Sequence, residues 1–426
     1  MRTALASLLA VLLLVQSAQA EGPELQVVET AHYRLEAEAD ASVAKEYGRV
    51  LESAYQGLAA YFGKQPKLSE GERMRVRFFD TQAAWAQGMR ADGVEPPTDA
   101  GGYYAPGKRT AYLYRQPTRT FTRVLLVHEA THQFHYLART RNAQPTSKWY
   151  REGVAEYLSW HTWNGATIRL GVRPQITLSD YAAKALEAVT ADGFDLEAVI
   201  AGKTWPGYAT VWALFRYLAT GDDGKPLKGF GTFCRKMDAG GGVGLLFKRF
   251  FRGAKRFREG FVAWLAADQQ PWTWMFNEWE DRGGGSFRGF AGVVSACRLK
   301  ENAERLVARL EVPREGPWCG GLLLHYGSAG DYTVALLDHR RRLRVDRRAD
   351  GGWQRLAAHT CTAVSTDGCL KLEARREEQG VVLVVGGETL GPFDLPHSPL
   401  GLAVDSSDLV FEDVEWQLTG APVPGR

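Results

Sequence analysis

Residues 124–135 read Val-Leu-Leu-Val-His-Glu-Ala-Thr-His-Gln-Phe-His, an apolar run broken by groups that need partners once they are buried. His128 and His132 stand four apart, so on an α-helix both imidazoles leave the same face and reach one point. Val124, Leu125, Leu126 and Val127 make the start of that helix apolar nearly all round, which predicts a helix inside a core. Pro117-Thr118 ends the preceding strand, and Thr118 or Thr120 caps a helix that runs through Thr122 to about Arg139. A fold built round this helix must give its buried His and Glu side chains partners, because polar groups in low dielectric are costly when unpaired. A metal ion satisfies them most economically.

Glu129 lies beside the histidine face, where a carboxylate can take a proton from a metal-bound water. A catalytic zinc takes three protein ligands and leaves one position open, so a third ligand must come from elsewhere in the chain. Glu152 is the candidate. It follows His132 by 20 residues, room for the first helix to finish, a loop to reverse, and a second helix to pass the metal. Glu156, one turn further on, can accept the free N–H of His128 or His132 and fix the ligating tautomer. One Zn²⁺ ion is expected, lowering the pKa of its water towards ~7 while Glu129 takes the proton. Tyr208, which Gly207 delivers into the first turn of a helix, is the candidate donor to a developing oxyanion. Packing is the alternative role for that ring. His161 is a rival donor or a hydrogen-bonded core histidine, and His135, seven after His128, reads as a support of the ligands or as core.

The stretch His128-Glu-Ala-Thr-His132 with Trp149-Tyr-Arg-Glu-Gly-Val-Ala-Glu-Tyr157 resembles the gluzincins, thermolysin-like zinc metallopeptidases whose third ligand is a Glu on the helix after the His-Glu-x-x-His helix. It looks closest to a bacterial secreted subgroup of uncharacterised peptidase-like proteins, and the resemblance covers roughly residues 25–265. It implies an α+β zincin-like catalytic domain, a hydrolase acting on protein or peptide substrates, and a substrate-pairing strand from the hairpin of residues 101–114.

Elsewhere the texture changes. Residues 1–20 read as a signal peptide, with Arg2, an apolar Ala4–Val15 and Ala18-Gln-Ala20 at the cleavage point, so the protein is expected to be exported, periplasmic or extracellular. No second apolar stretch suits a membrane span. Residues 21–268 form the expected metallopeptidase domain, 269–286 a linker, and 287–426 an all-β sandwich. Short alternating strands are predicted at 305–310, 321–325, 332–338, 342–346, 370–375, 381–385 and 400–404. The closing segment 401–416 resembles the last strands of concanavalin-like jelly rolls. Binding or a purely structural role is expected of it; carbohydrate recognition would need exposed aromatics on one face, and Trp318, Tyr326 and Trp353 are available for that or for the core.

A formal charge of +3 argues against a nucleic-acid partner. The basic run 248–258 interleaves Phe at helical spacing and reads as a surface helix with its aromatic side in the core. Among five cysteines, Cys361 with Cys369 and Cys297 with Cys319 are possible bridges, leaving Cys234 alone. Two readings follow. The first is an exported zinc peptidase with Glu129 as base; the alternative is a catalytically silent zinc-fold scaffold whose sandwich binds carbohydrate or protein.

Overall fold

The computed structural model describes residues 25–420 except 174, 178, 252, 253, 275–277, 291, 293 and 363–366. The expected signal peptide lies outside the described residues. The N-terminal half mixes strands and helices. β1 (Leu25–Glu29), β2 (Tyr33–Glu38), α1 (Ala41–Phe62), β3 (Met74–Phe79), α2 (Gln82–Ala91), β4 (Gly102–Ala105) and β5 (Thr110–Tyr114) come first. Their sheet runs β1-β2-β3-β5-β4, with β2, β3 and β5 parallel and the two outer strands antiparallel. The hairpin of residues 101–114 therefore forms as expected. Its exposed edge is β4 rather than the strand directly before the helix of His128 and His132, because β5 is taken up between β3 and β4.

α3 (Arg119–Arg139) packs on β4 and β5, and α4 (Lys148–Ser159) packs on α3. The prediction of a buried helix holds for α3: 14 of its 21 residues are buried, from Thr122 to Tyr136. Thr118 is the cap, its hydroxyl accepting the Phe121 N–H at 3.0 Å. A short hairpin, β6 (His161–Trp163) and β7 (Ile168–Leu170), follows. Then come α5 (Tyr181–Thr190), α6 (Leu196–Ile200), α7 (Tyr208–Thr220), α8 (Phe230–Asp238), α9 (Val243–Phe251) and α10 (Ala254–Ala267). Phe251 and Phe257 of the basic run are buried and Phe250 is half-buried, as the aromatic spacing predicts. Among the described residues no helix is long and apolar enough to cross a membrane.

The C-terminal half is a sandwich of two seven-stranded sheets whose paired strands are all antiparallel. In chain order its strands are β8 (Trp272–Trp274), β9 (Glu278–Gly283), β10 (Ser286–Phe290), β11 (Ser295–Leu299), β12 (Ala303–Glu311), β13 (Cys319–Ser328), β14 (Asp331–Asp338), β15 (Arg342–Ala349), β16 (Gly352–Thr360), β17 (Cys369–Glu377), β18 (Gly380–Val385), β19 (Glu388–Phe393), β20 (Gly401–Val404) and β21 (Asp408–Leu418). One sheet runs β19-β18-β17-β12-β21-β10-β9, the other β16-β15-β14-β13-β20-β11-β8. Period-2 alternation sends Leu306, Ala308, Leu310, Leu372 and Leu383 from one sheet against Leu322, Leu324, Leu337, Val345 and Leu402 from the other.

Two expectations change here. The span read as a linker, 269–286, contains β8 and β9, which sit at matching ends of the two sheets. All five cysteines are free thiols. Cys297 faces the sandwich interior while Cys319 packs on the outer side of the same sheet, so the two cannot meet.

The halves are joined by specific contacts. Ile176 inserts into the sandwich core, the Gln175 N–H donates to Asp281 at 2.7 Å, and the Arg282 guanidinium donates to the Asn164 carbonyl at 2.7 Å.

Candidate metal centre

α3 and α4 pack against each other and bring His128, His132 and Glu152 together, with one ligand atom from each lying within 4.8 Å of the others. The Nε2 atoms of the two histidines are 3.1 Å apart, and Glu152 Oε2 lies 3.5 Å from His128 Nε2 and 3.4 Å from His132 Nε2. Tetrahedral zinc with bonds near 2.0–2.1 Å requires ligand-to-ligand edges of about 3.3–3.4 Å. The triangle fits a zinc ion with little adjustment. An orphaned polar atom points the same way: Glu129 Oε2 is buried with no hydrogen-bond partner within the protein.

Local sequence explains the placement. Four-residue spacing on a buried helix sets the two histidines over one another, and Glu152 is carried by a helix whose Trp149 and Tyr150 are buried anchors. The Trp149 indole N–H donates to the Ile200 carbonyl at 3.0 Å. Gly153 lies against α7, where a Cβ would sit 3.1 Å from the Phe215 side chain. Glu156 Oε1 is 3.4 Å from His128 Nδ1, so of the two histidines it supports His128. Arg151, adjacent in sequence, donates to the second oxygen of Glu152 at 3.1 Å.

Electrostatics follow from burial and crowding. Burial pushes the Glu129 carboxyl up to about 8; the charge of His128 pulls it down and that of Glu152 adds to the rise. Burial also opposes charge on His128, yet its bonds to Glu152 and Glu156 outweigh this and hold its pKa well above the usual value. His132 is lowered, chiefly by burial. Burial works against the Glu152 anion, but the two histidines hold it well below the ordinary range.

Glu129 is placed by a close approach of β4. The Tyr104 backbone N–H bonds its carboxylate, and a Cβ on Gly102 would meet Glu129 Cγ at 2.8 Å. Only a glycine leaves room there. Tyr208 opens α7 after Gly207 at φ 88°, and its ring centroid is 6.4 Å from that of His128. Burial and the charges of Glu152, Glu156 and Glu129 raise its phenol pKa.

The remaining histidines fall elsewhere. His135 is wholly buried, stacked on Phe62 and bonded through Nε2 to Asp238 at 2.8 Å, so it belongs to a buried ion cluster and not to the ligand triangle. His161 bonds the Ser159 carbonyl at 2.7 Å, and burial lowers its pKa to about 3.

Contacts from the sandwich to α3 had no sequence signal. Arg123, one turn before His128, is buried and paired with Glu280 of β9 and, at 2.9 Å, with Glu46 of α1. Positions 157 residues apart carry no periodicity that could have linked them.

No family model matches the chain, and no curated protein matches it. Solved structures do. A carbohydrate-binding module, CBM66 from Bacillus subtilis, is 16% identical over 34% of this chain and 95% of its own, with a TM-score of 0.30. Sheep galectin-11 is 12% identical over 30% of this chain and 99% of its own, TM-score 0.23. A GH43 protein from Bacillus licheniformis is 13% identical over 35% of this chain and 37% of its own, TM-score 0.27.

These are likenesses to β-sandwich proteins, and they correct the expected membership in the gluzincin metallopeptidases. With it go the assignments as a zinc peptidase and as a binder of peptide substrate. The physical reason is that the motif occupies two helices only, and several folds can present four such side chains from a helix pair. What stands is an α+β half followed by an all-β sandwich.

Proposed function

We propose that this protein binds carbohydrate through its β-sandwich and holds one zinc ion in its α+β half, outside the cytoplasm if residues 1–20 act as the signal they resemble. The carbohydrate reading corresponds to the second alternative weighed from sequence, and the observation that carries it is an aromatic beside a polar recess. Of the three aromatics considered, Trp318 is buried and Tyr326 is half-buried beneath Arg298, but Trp353 is 46% exposed. Its ring meets Tyr332 edge-on, with centroids 5.6 Å apart. The recess beside it, about 360 Å³, is lined by Val334, Leu336, Arg344, Asp346, Arg355 and Asp405. Arg344 pairs with Asp405 and Arg355 with Asp346, so the charged groups are held in fixed directions. A flat aromatic suits the apolar face of a pyranose, while fixed guanidinium and carboxylate groups suit its hydroxyls.

In the other half, His128, His132 and Glu152 would hold the ion and Glu156 would orient His128. Zinc held there would lower the pKa of a bound water to about 7. Glu129 would hold or accept a proton beside that position, and the Tyr208 hydroxyl would donate across it. Glycan-array binding by the full chain, followed by calorimetry with the best glycan, tests the first half of the proposal: an array with no retained glycan sinks it. Elemental analysis of wild type beside His132→Ala tests the second, with one zinc per chain expected to disappear in the variant.

A further inference from the structure

A second group of metal-ligating side chains sits on the sandwich, far in sequence from the first. His359, near the end of β16, Cys361 just beyond it and Glu388 at the start of β19 place one ligand atom each within 4.8 Å of one another. His359 Nε2 is 2.8 Å from Glu388 Oε2. The other oxygen, Oε1, is anchored by the Thr362 backbone N–H at 2.5 Å and the Thr362 hydroxyl at 2.6 Å, so the carboxylate is oriented with Oε2 towards the histidine. Such an anchored carboxylate is how ligating groups are commonly supported. The Cys361 backbone is pinned through its N–H to the Arg341 carbonyl at 2.9 Å. Its side chain is buried, while His359 is exposed and leaves a path from solvent.

The position in the fold is informative. β16 is the last strand of one sheet and β19 the last strand of the other, and both lie on the same side of the sandwich. Each therefore has one edge without a ladder partner in its own sheet, the weak point of an open sandwich. The His359–Glu388 contact already bridges these two edges. We infer that His359, Cys361 and Glu388 form a second divalent-cation site, of imidazole, thiolate and carboxylate ligands suited to zinc, which clips the open edges of the two sheets together. Binding exchanges the Cys361 thiol proton for the metal: the proton leaves to solvent, an S–metal bond forms, and no electron is transferred. Metal coordination deprotonates a thiol outright.

Cobalt(II) titration of the chelator-treated full-length chain reads this site separately from the first, because only a thiolate ligand gives an intense sulfur-to-cobalt charge-transfer absorption. The expected result is that the absorption appears in wild type and in His132→Ala, and is lost in Cys361→Ser. In His359→Ala, whose exposed side chain can be removed without disturbing the core, cobalt affinity falls at least tenfold. Added zinc is expected to raise the melting midpoint of His132→Ala and to leave that of His132→Ala/His359→Ala unmoved. Absence of the absorption from wild type, its persistence in Cys361→Ser, or equal zinc stabilisation of both His132→Ala proteins overturns the inference.

Discussion

Glu278 on the sandwich caps the helix that carries the two histidines: its Oε1 accepts the Thr120 backbone N–H at 2.7 Å and the Thr120 hydroxyl at 2.9 Å. Oε2 accepts the Arg119 N–H at 3.1 Å. Orphan N–H groups of a first helical turn are thus satisfied by a carboxylate, which the helix dipole also favours. One turn on, Arg123 is buried against Glu280. The helix of His128 and His132 is held at its start by the other half of the protein.

This predicts mechanical coupling between the halves. Glu280→Ala leaves the Arg123 guanidinium buried with Glu46 as its remaining carboxylate, a change of about 3 kcal/mol. Glu278→Ala removes a cap and is expected to cost about 1 kcal/mol. Urea denaturation followed by intrinsic fluorescence should give one transition for wild type and two for Glu280→Ala. A single transition at an unchanged midpoint would show that the halves do not depend on this pair.

The proposed role of Glu156 is measurable without any assay of activity. It touches His128 through Nδ1, the nitrogen opposite the one facing the ligand triangle. Glu156→Gln keeps the volume and loses the charge, so zinc affinity is expected to fall 10- to 100-fold in competition with a chromophoric chelator. His132→Ala should bind no zinc at this centre. If Glu156→Gln binds as tightly as wild type, the carboxylate is a packing group.

Binding through the sandwich makes its own demand. Trp353→Ala removes the exposed ring at the edge of the recess while leaving Tyr332 and the Arg–Asp pairs in place. Loss of one stacking aromatic is expected to cost about 1.4 kcal/mol, a tenfold fall in glycan affinity by calorimetry, with an unchanged melting temperature. Unaltered affinity would move the site away from this face.

How far the sequence disclosed these features depended on whether the physics was local. The helix from Thr118 to Arg139 was readable because its cap, its apolar run and its four-residue histidine spacing all lie within about twenty residues. Glu152 was readable from its distance along the chain, and Tyr208 from the glycine that turns the chain before it. Cys369–Glu377 alternates and was legible; Cys319–Ser328 and Asp331–Asp338 are continuous apolar runs, buried on both faces of their sheet. Gly352–Thr360 was not legible, since none of its residues is buried and no alternation survives on such an edge strand. Trp272–Trp274 and Glu278–Gly283 were taken for a linker because they are short and lie among Trp and Gly residues at the sheet ends; Trp272–Trp274 pairs with Cys297–Leu299 beyond two further strands, while Glu278–Gly283 forms a hairpin with Ser286–Phe290. Arg123 looked like an ordinary helix residue, and its carboxylates lie 77 and 157 positions away. The same locality explains the family correction: two neighbouring motifs specified that His128, His132 and Glu152 come together, and the rest of the architecture was beyond their reach.

Asp238 provides a prediction about acid that is independent of either metal site. It ends α8 and accepts from His135 Nε2 at 2.8 Å, from the Tyr150 hydroxyl at 2.8 Å and from Arg139 Nε at 3.0 Å. Burial by itself would raise its pKa, but these bonds outweigh burial and hold it below the ordinary carboxylate value. A carboxyl whose folded pKa is depressed contributes stability that is fully present above the unfolded value of about 3.9 and is lost as pH falls through the folded value. Wild type should therefore lose stability between about pH 4 and the lower folded pKa, on top of the loss from other carboxylates. Asp238→Asn keeps the shape and removes this titration; it is expected to be less stable by about 3 kcal/mol at pH 7, with the gap to wild type closing as the pH falls below 4. Chemical denaturation at pH 7, 5, 4 and 3 makes the comparison. A gap that stays constant across that range would mean that Asp238 contributes by shape alone and that its charge does not hold His135, Tyr150 and Arg139 together.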